Sequence, residues 1–249
     1  IENVILEASS HGLHQNRLYG LKFDIGIFTN LSRDHLDYHK SYKNYFNSKL
    51  ILFKKLLKTK SYAIFDNDIK TSSKLNRIAK LKKLKKFTIG YKKSSFTILD
   101  HQFLKSEQKI LFRFDNKQYY FSTRLIGSVQ IKNLLMAIMA AMKSKISLKK
   151  ILKITKKIKP VNGRLEKIGR LNNNGIVILD YAHTPDALKT CIKNVKEQFK
   201  LRNINLVFGC GGERDRPKRK MMGGIADKYC NKIYLTDDNP RNEDPKIIR

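Results

Sequence analysis

Short apolar, β-branched runs bounded by polar turns recur at residues 4–6, 25–29 and 62–65, and stretches with helical spacing, 41–57 and 69–81, accompany the later ones. Strands separated by helices of that length predict parallel strands joined by crossover helices. The pattern changes over 96–121. Apolar runs at 96–99, 110–114 and 119–122 follow one another across polar turns, which predicts an antiparallel meander beside the parallel sheet. Residues 131–142 and 147–157 carry apolar positions at helical period, and Lys159-Pro160-Val161-Asn162-Gly163 breaks the second of these helices. That break divides the chain into a first unit, 1–163, and a second, 164–249. In the second unit the apolar runs 175–179, 204–208 and 232–235 are each followed by a polar loop, and two of them by a helical pattern. They predict another α/β unit, of the doubly wound kind.

A chain of 249 residues with 41% hydrophobic positions, 13 Gly and 5 Pro has the material for a core and is neither low-complexity nor disulfide-dependent. Its longest apolar run, 134–142, has nine residues, well short of the ~20 that cross a bilayer. No membrane span is expected. Residue 1 is Ile rather than Met, and 1–6 reads as a buried strand rather than a leader, so the natural start is expected upstream. Lys plus Arg is 52 against 21 acidic residues, a net charge of +31. Such an excess raises nucleic-acid binding first, but the lysines are spread along the whole chain instead of forming an arm or stripe. The densest cluster, Lys80 to Lys86, reads as a solvated helix face. A basic surface suits anionic small molecules, and no nucleic-acid partner is expected. Three cysteines without a CxxC pair support neither a disulfide framework nor a zinc knuckle, and point to a reducing cytoplasm.

Open α/β sheets bind ligands beyond the carboxyl ends of their strands, so residues that follow each apolar run carry the candidate chemistry. Glu7 ends the first run. Arg33-Asp34-His35-Leu36-Asp37-Tyr38-His39 packs two acids and two imidazoles into seven positions after the second. Oxygen and imidazole donors of this kind suit a hard cation such as Mg²⁺ that also holds phosphate. Helix capping by Ser32 and Asp34, with surface histidines, explains the same string, and spacing leaves both readings open. Gly209-Cys210-Gly211-Gly212 lets backbone amides approach an anion beside Arg214, Lys218 and Arg219. Asp180 is placed to accept from a ribose and also to cap the helix starting at Pro185, and the two readings are not exclusive. No Ser-His-Asp or Cys-His nucleophile arrangement stands out.

Taken together, Glu7-Ala8-Ser9-Ser10-His11-Gly12-Leu13, Thr29-Asn30-Leu31-Ser32-Arg33-Asp34-His35, Asn162-Gly163-Arg164-Leu165-Glu166, Asp180-Tyr181-Ala182-His183-Thr184-Pro185, Phe208-Gly209-Cys210-Gly211-Gly212 and Asp237-Asp238-Asn239-Pro240-Arg241 resemble the Mur ligase family nearly end to end. Within it the resemblance is nearest to members that add the third residue of the peptidoglycan stem peptide. It implies an α/β fold: a parallel-sheet central ATPase-type domain with an antiparallel meander, followed by part of a Rossmann-like C-terminal domain. The family's GxxxxGK[ST] loop is not in this sequence and is expected upstream with a UDP-binding domain, so this stretch alone is expected to be inactive.

The resemblance assigns Glu7 and His35 to Mg²⁺, and Lys49 to the lysine whose carbamate helps place the metal. Ser9, Gln15 and Arg17 match contacts to the muramyl peptide, and Asn133, Arg164, Asp180 and His183 match nucleotide contacts. Arg214, Asp238, Asn239 and Arg241 match the amino-acid site. The implied reaction uses ATP to form an acyl phosphate on the D-Glu side chain of UDP-MurNAc-L-Ala-D-Glu, which an amine then displaces. Arg241 in the Asp-Asn-Pro-Arg string favours meso-diaminopimelate over lysine, because only the former has a distal carboxylate for it to pair with. A cytoplasmic monomer acting on small molecules is expected. The rival readings are a lysine-adding or other Mur or folylpolyglutamate-type ligase and, from another class, a basic nucleic-acid-binding protein.

Overall fold

The computed structural model describes residues 3–200 and 203–249. One sheet has the spatial order β1 (Phe23–Phe28), β2 (Leu57–Asp66), β3 (Lys85–Gly90), β4 (Phe96–Phe103), β5 (Gln108–Phe114) and β6 (Lys117–Thr123). β1 to β4 run parallel, and β4 to β6 form the expected antiparallel meander. The helices of this unit are α1 (Ser10–His14), α2 (Leu36–His39), α3 (Tyr42–Ile51), α4 (Ser72–Leu81), α5 (Ser128–Lys143) and α6 (Leu148–Ile154).

The run in β2 is apolar throughout because both faces of the sheet are covered. Ala63 and Phe65 join Phe28, Phe46, Leu50, Phe53 and Leu75 in a core under α3 and α4. Ile64 points the other way, into a larger core with Phe87, Ile89, Phe96, Phe112, Leu135 and Met139 under α5 and α6. The helix expected over 41–57 is α3 followed by a π-helical turn, Leu52–Leu56, that leads into β2. Ser41 starts it by accepting from the Asn44 amide at 3.1 Å.

Three expectations are corrected. Lys80 to Lys86 is not one helix face: α4 ends at Leu81, the chain reverses through Lys83 at φ 52°, and Lys85 begins β3, a strand the lysines disguised. Leu84 and Phe87 enter the core while the lysines stay in the turn and at the strand's outer end. Ile1 and Glu2 lie outside the described residues, and residues 4–6 form no strand. Val4 and Ile5 are 76% and 99% exposed, because an apolar run becomes a buried strand only where a neighbouring strand pairs with it. Glu7 therefore follows an irregular segment rather than a strand end.

The third correction concerns the second unit. β7 (Glu166–Arg170), which the apolar pattern missed, pairs antiparallel with β8 (Ile176–Leu179), and β9 (Asn205–Phe208) pairs parallel with β10 (Lys232–Leu235). Among the described residues these are separate two-stranded sheets rather than one doubly wound sheet. α7 (Pro185–Gln198) and α8 (Pro217–Tyr229) pack over β9 around Leu188, Ile192, Cys210 and Met222, and α9 (Pro245–Ile248) ends the chain. Among the described residues no helix is long and apolar enough to cross a membrane.

Candidate active site

α1, the loop after β1, and α3 bring the residues of the first motifs together. The Ser9 hydroxyl starts α1 by accepting from the Gly12 amide at 3.0 Å. Gln15 ends the helix, and the exposed Arg17 follows it. His35 precedes α2 in a left-handed conformation, φ 54°, and makes no side-chain cap. Asp34 accepts from the His35 amide at 2.8 Å, a bond to its neighbour, and Ser32 caps nothing. The capping explanation of this string is therefore set aside.

Lys49 projects from α3 with its amine 5.1 Å from the centre of the Tyr45 ring. Burial pushes that amine below the ordinary lysine value, and the fields of Asp34 and Glu7 partly oppose the shift. The His35 ring lies 6.0 Å from the same tyrosine and 3.3 Å from Asp34. Lys49, Asp34, Glu7 and His35 thus share one neighbourhood. Among the described residues no three His, Cys, Asp or Glu side chains are grouped closely enough to hold a metal ion by themselves. The donor chemistry still suits Mg²⁺ once Lys49 is counted, because a lysine amine held toward its neutral form is the one that adds CO₂ and becomes an anionic oxygen ligand.

Asp34, which the sequence offered only as one acid of its string or as a helix cap, is the hub. Burial pushes its carboxyl up, but the neighbouring His183 and the charge and amide of His35 outweigh this and hold it below its ordinary value. His183, 3.7 Å away, is raised chiefly by the Asp34 carboxylate. This pair joins the two units. Beside it the Arg33 amide donates to Asp186 at 3.3 Å, Arg33 approaches Asp215 at 3.8 Å, and Lys218 donates to the His183 carbonyl at 3.1 Å.

The other nucleotide candidates are less tightly gathered. Asn133 is exposed on α5. The Arg164 guanidinium lies over the Tyr181 ring at 5.2 Å, and its carbonyl accepts from Gln130 at 3.0 Å. Asp180 does not cap α7, because Thr184 does so by accepting from the Ala187 amide. It accepts instead from the Leu165 amide at 2.8 Å, which fixes the chain after Gly163 to the end of β8. Burial raises the Asp180 carboxyl and pushes the neighbouring Cys191 thiol up to about 12.

The amino-acid candidates form a second cluster. A Cβ on Gly212 would lie 1.9 Å from the Pro240 carbonyl oxygen, so this glycine lets the Asp-Asn-Pro-Arg loop sit backbone to backbone on the glycine loop. The Gly212 amide donates to the Asn239 carbonyl at 2.9 Å, and the Arg241 guanidinium donates to the Gly212 carbonyl. Asp238 lies near Gly211, and Arg214 is exposed with no side-chain partner among the described residues. Glu243 holds the arrangement together: it receives both Arg219 terminal nitrogens, at 3.0 and 2.9 Å, and the Glu213 amide. These bonds keep its carboxyl at about 2. Neither Glu243 nor Arg219 had a periodic signal, although Glu243 lies only two residues beyond Arg241.

A family model described as Mur ligase middle domain matches residues 1–141, and one described as Mur ligase, glutamate ligase domain matches 163–249. A Rickettsia bellii protein named UDP-N-acetylmuramoyl-L-alanyl-D-glutamate–2,6-diaminopimelate ligase is 42% identical over all of this chain and 52% of its own length. A Prochlorococcus marinus protein of the same name is 38% identical over 99% of this chain and 50% of its own length. The chain spans about half the length of these relatives. A solved structure of a ligase with that name is 32% identical, with a TM-score of 0.67 over 97% of this chain and 49% of that one. MurF from Thermotoga maritima in complex with ADP shares the fold alone, at 14% identity and a TM-score of 0.70 over 93% of this chain and 56% of that one. With family models covering both of its units and motif residues meeting across them, this chain belongs to the Mur ligase family.

Proposed function

We propose that the chain is part of a cytoplasmic ATP-dependent ligase that joins meso-diaminopimelate to the D-Glu side-chain carboxylate of UDP-MurNAc-L-Ala-D-Glu, its units meeting near Gly163. The observation that carries this reading is the meeting of Asp34 and His183, which sets the Lys49 neighbourhood of the first unit against the nucleotide-contact residues of the second. The relatives' names support the substrate and the amino acid.

In this mechanism Ser9, Gln15 and Arg17 hold the muramyl dipeptide, with Arg17 available to fork onto a carboxylate or phosphate. Asn133, Arg164, Asp180 and His183 hold the nucleotide. The D-Glu carboxylate attacks the γ-phosphorus of ATP, ADP leaves, and the amine of the incoming amino acid attacks the acyl carbon and releases phosphate. Glu7, His35 and carbamylated Lys49 would hold Mg²⁺, which when bound neutralises phosphate charge. Catalysis by these residues is mostly orientation and electrostatics. Arg241, with Asp238, Asn239 and Arg214 around it, selects the amino acid by pairing with its distal carboxylate.

The test is phosphate release by the complete protein supplied with ATP, Mg²⁺ and UDP-MurNAc-L-Ala-D-Glu. Release dependent on meso-diaminopimelate, and weak with L-lysine or D-Ala-D-Ala, is expected. Equal turnover with lysine would overturn the selectivity, and release independent of the muramyl dipeptide would overturn the reaction.

A further inference from the structure

His39 closes α2, is 4% exposed, and lies between α1 and α3. Its Nε2 is 3.0 Å from the Ser10 hydroxyl and its Nδ1 is 3.3 Å from the Ser48 hydroxyl. Both serines are buried, at 3% and 4% exposure. Ser48 also donates to the Asn44 carbonyl at 2.9 Å. A hydroxyl has one proton, so Ser48 can only accept from His39. Nδ1 therefore carries the ring proton, Nε2 of the neutral ring is an acceptor, and Ser10 donates to it. Each ring nitrogen has a distinct partner.

These partners stand next to site residues. Ser10 follows Ser9 in the muramyl-dipeptide motif, and Ser48 precedes Lys49. The His39 ring also lies 5.3 Å from Tyr45, the ring over which the Lys49 amine sits. α1 has only five residues, too few to hold a helix by local bonds, so its position depends on such anchors. We propose that His39 is a positioning residue that holds the Ser9 end of α1 through Nε2 and the Lys49 face of α3 through Nδ1. The roles given to Ser9 and Lys49 rest on the reading under Proposed function, whereas the two-armed anchorage rests on this geometry alone.

Two conservative variants of the complete protein separate the arms. The amide nitrogen of His39→Asn reaches where Nδ1 was and restores the bond to Ser48. The carbonyl oxygen of His39→Gln reaches where Nε2 was and restores the bond from Ser10. His39→Asn should raise KM for UDP-MurNAc-L-Ala-D-Glu about tenfold with kcat nearly kept, and His39→Gln should lower kcat about tenfold with that KM nearly kept. KM for ATP should change little in either. Amide hydrogen exchange supplies a readout independent of turnover: faster exchange confined to α1 in His39→Asn and to α3 in His39→Gln is expected. Equal losses in kcat and KM, with exchange rising alike in both helices, would make His39 a packing residue and overturn the proposal. An unchanged exchange pattern would overturn it too. If the wild-type protein does not turn over but exchange divides as expected, the anchorage stands and only the functional reading falls.

Discussion

Lys49 is one basic side chain among 52, and what sets it apart is its surroundings: an aromatic ring beneath it, two carboxylates near it, and burial that favours its neutral amine. In the complete protein Lys49→Ala should lose most activity and recover part of it when short carboxylic acids occupy the carbamate's place. Full activity in the variant, measured as phosphate release, would remove Lys49 from the mechanism. Arg241 already donates to a backbone carbonyl in this structure, so in the proposed role it would leave a neutral partner to pair with the distal carboxylate. Arg241→Ala should lower kcat/KM for meso-diaminopimelate at least about tenfold while sparing ATP and the poor use of lysine. Equal loss with both amino acids would refute its role as selector. Glu243 adds a pH dependence. Its carboxyl is held at about 2, below its ordinary 4.5, so the pairing stabilises the fold fully above about pH 4.5 and is lost as pH falls toward 2. Glu243→Gln should flatten the pH dependence of melting temperature in that window and leave it unchanged near neutrality.

At the level of elements, several are held by side chains from distant parts of the chain. α5 begins at Gly127 with no cap of its own, and Asn194 of α7 supplies one by accepting from the Val129 amide at 3.0 Å and the Ser128 hydroxyl at 3.1 Å. Gly127 has φ +85°, and a Cβ there would lie 2.4 Å from the Asn194 oxygen, so the glycine makes room for a cap supplied in trans. Asn194→Ala should cost about 1 kcal/mol, within the ~0.5–2 that caps contribute, as measured by denaturant unfolding. A change below about 0.3 kcal/mol would show that α5 starts without it. The α5 helix itself was legible from its apolar spacing, but its cap was not, because 65 residues separate Asn194 from Val129. β3 was hidden for a related reason. Lysines in a turn and at a strand end look like a helix face until the fold shows which of them reach the core.

Over the whole molecule, two large cores flank the six-stranded sheet, whereas among the described residues the second unit has a small core cluster, built on Leu188, Ile192, Cys210 and Met222. Its stability is therefore tied to docking. Gln198, 5% exposed, donates to the Leu104 carbonyl at 2.7 Å, and its oxygen lies 3.5 Å from the Gly127 amide. Gln198→Met keeps much of the volume but leaves those backbone groups unpaired, a loss of about 1–3 kcal/mol. Calorimetry should then resolve an earlier transition for the second unit where the wild-type protein has one, and a single unshifted transition would show that docking does not stabilise that unit.

The chain by itself determined the alternation of parallel strands and helices, the meander and the family, because these rest on local period and on contiguous strings such as Asp34-His35 and Asp238-Asn239-Pro240-Arg241. It also marked Glu7 and His35 as candidates by their place after apolar runs, whereas Lys49 came from resemblance alone. Only the tertiary structure decided that residues 4–6 stay unpaired, that β8 joins β7, and that Asp34 meets His183. It likewise decided that His39 lies between Ser10 and Ser48, and that Asn194, Gln198 and Glu243 brace segments far from them in sequence or across a loop. Strand pairing, burial and polar satisfaction depend on which groups face each other after folding, and a one-dimensional pattern carries that information only where the partners are neighbours.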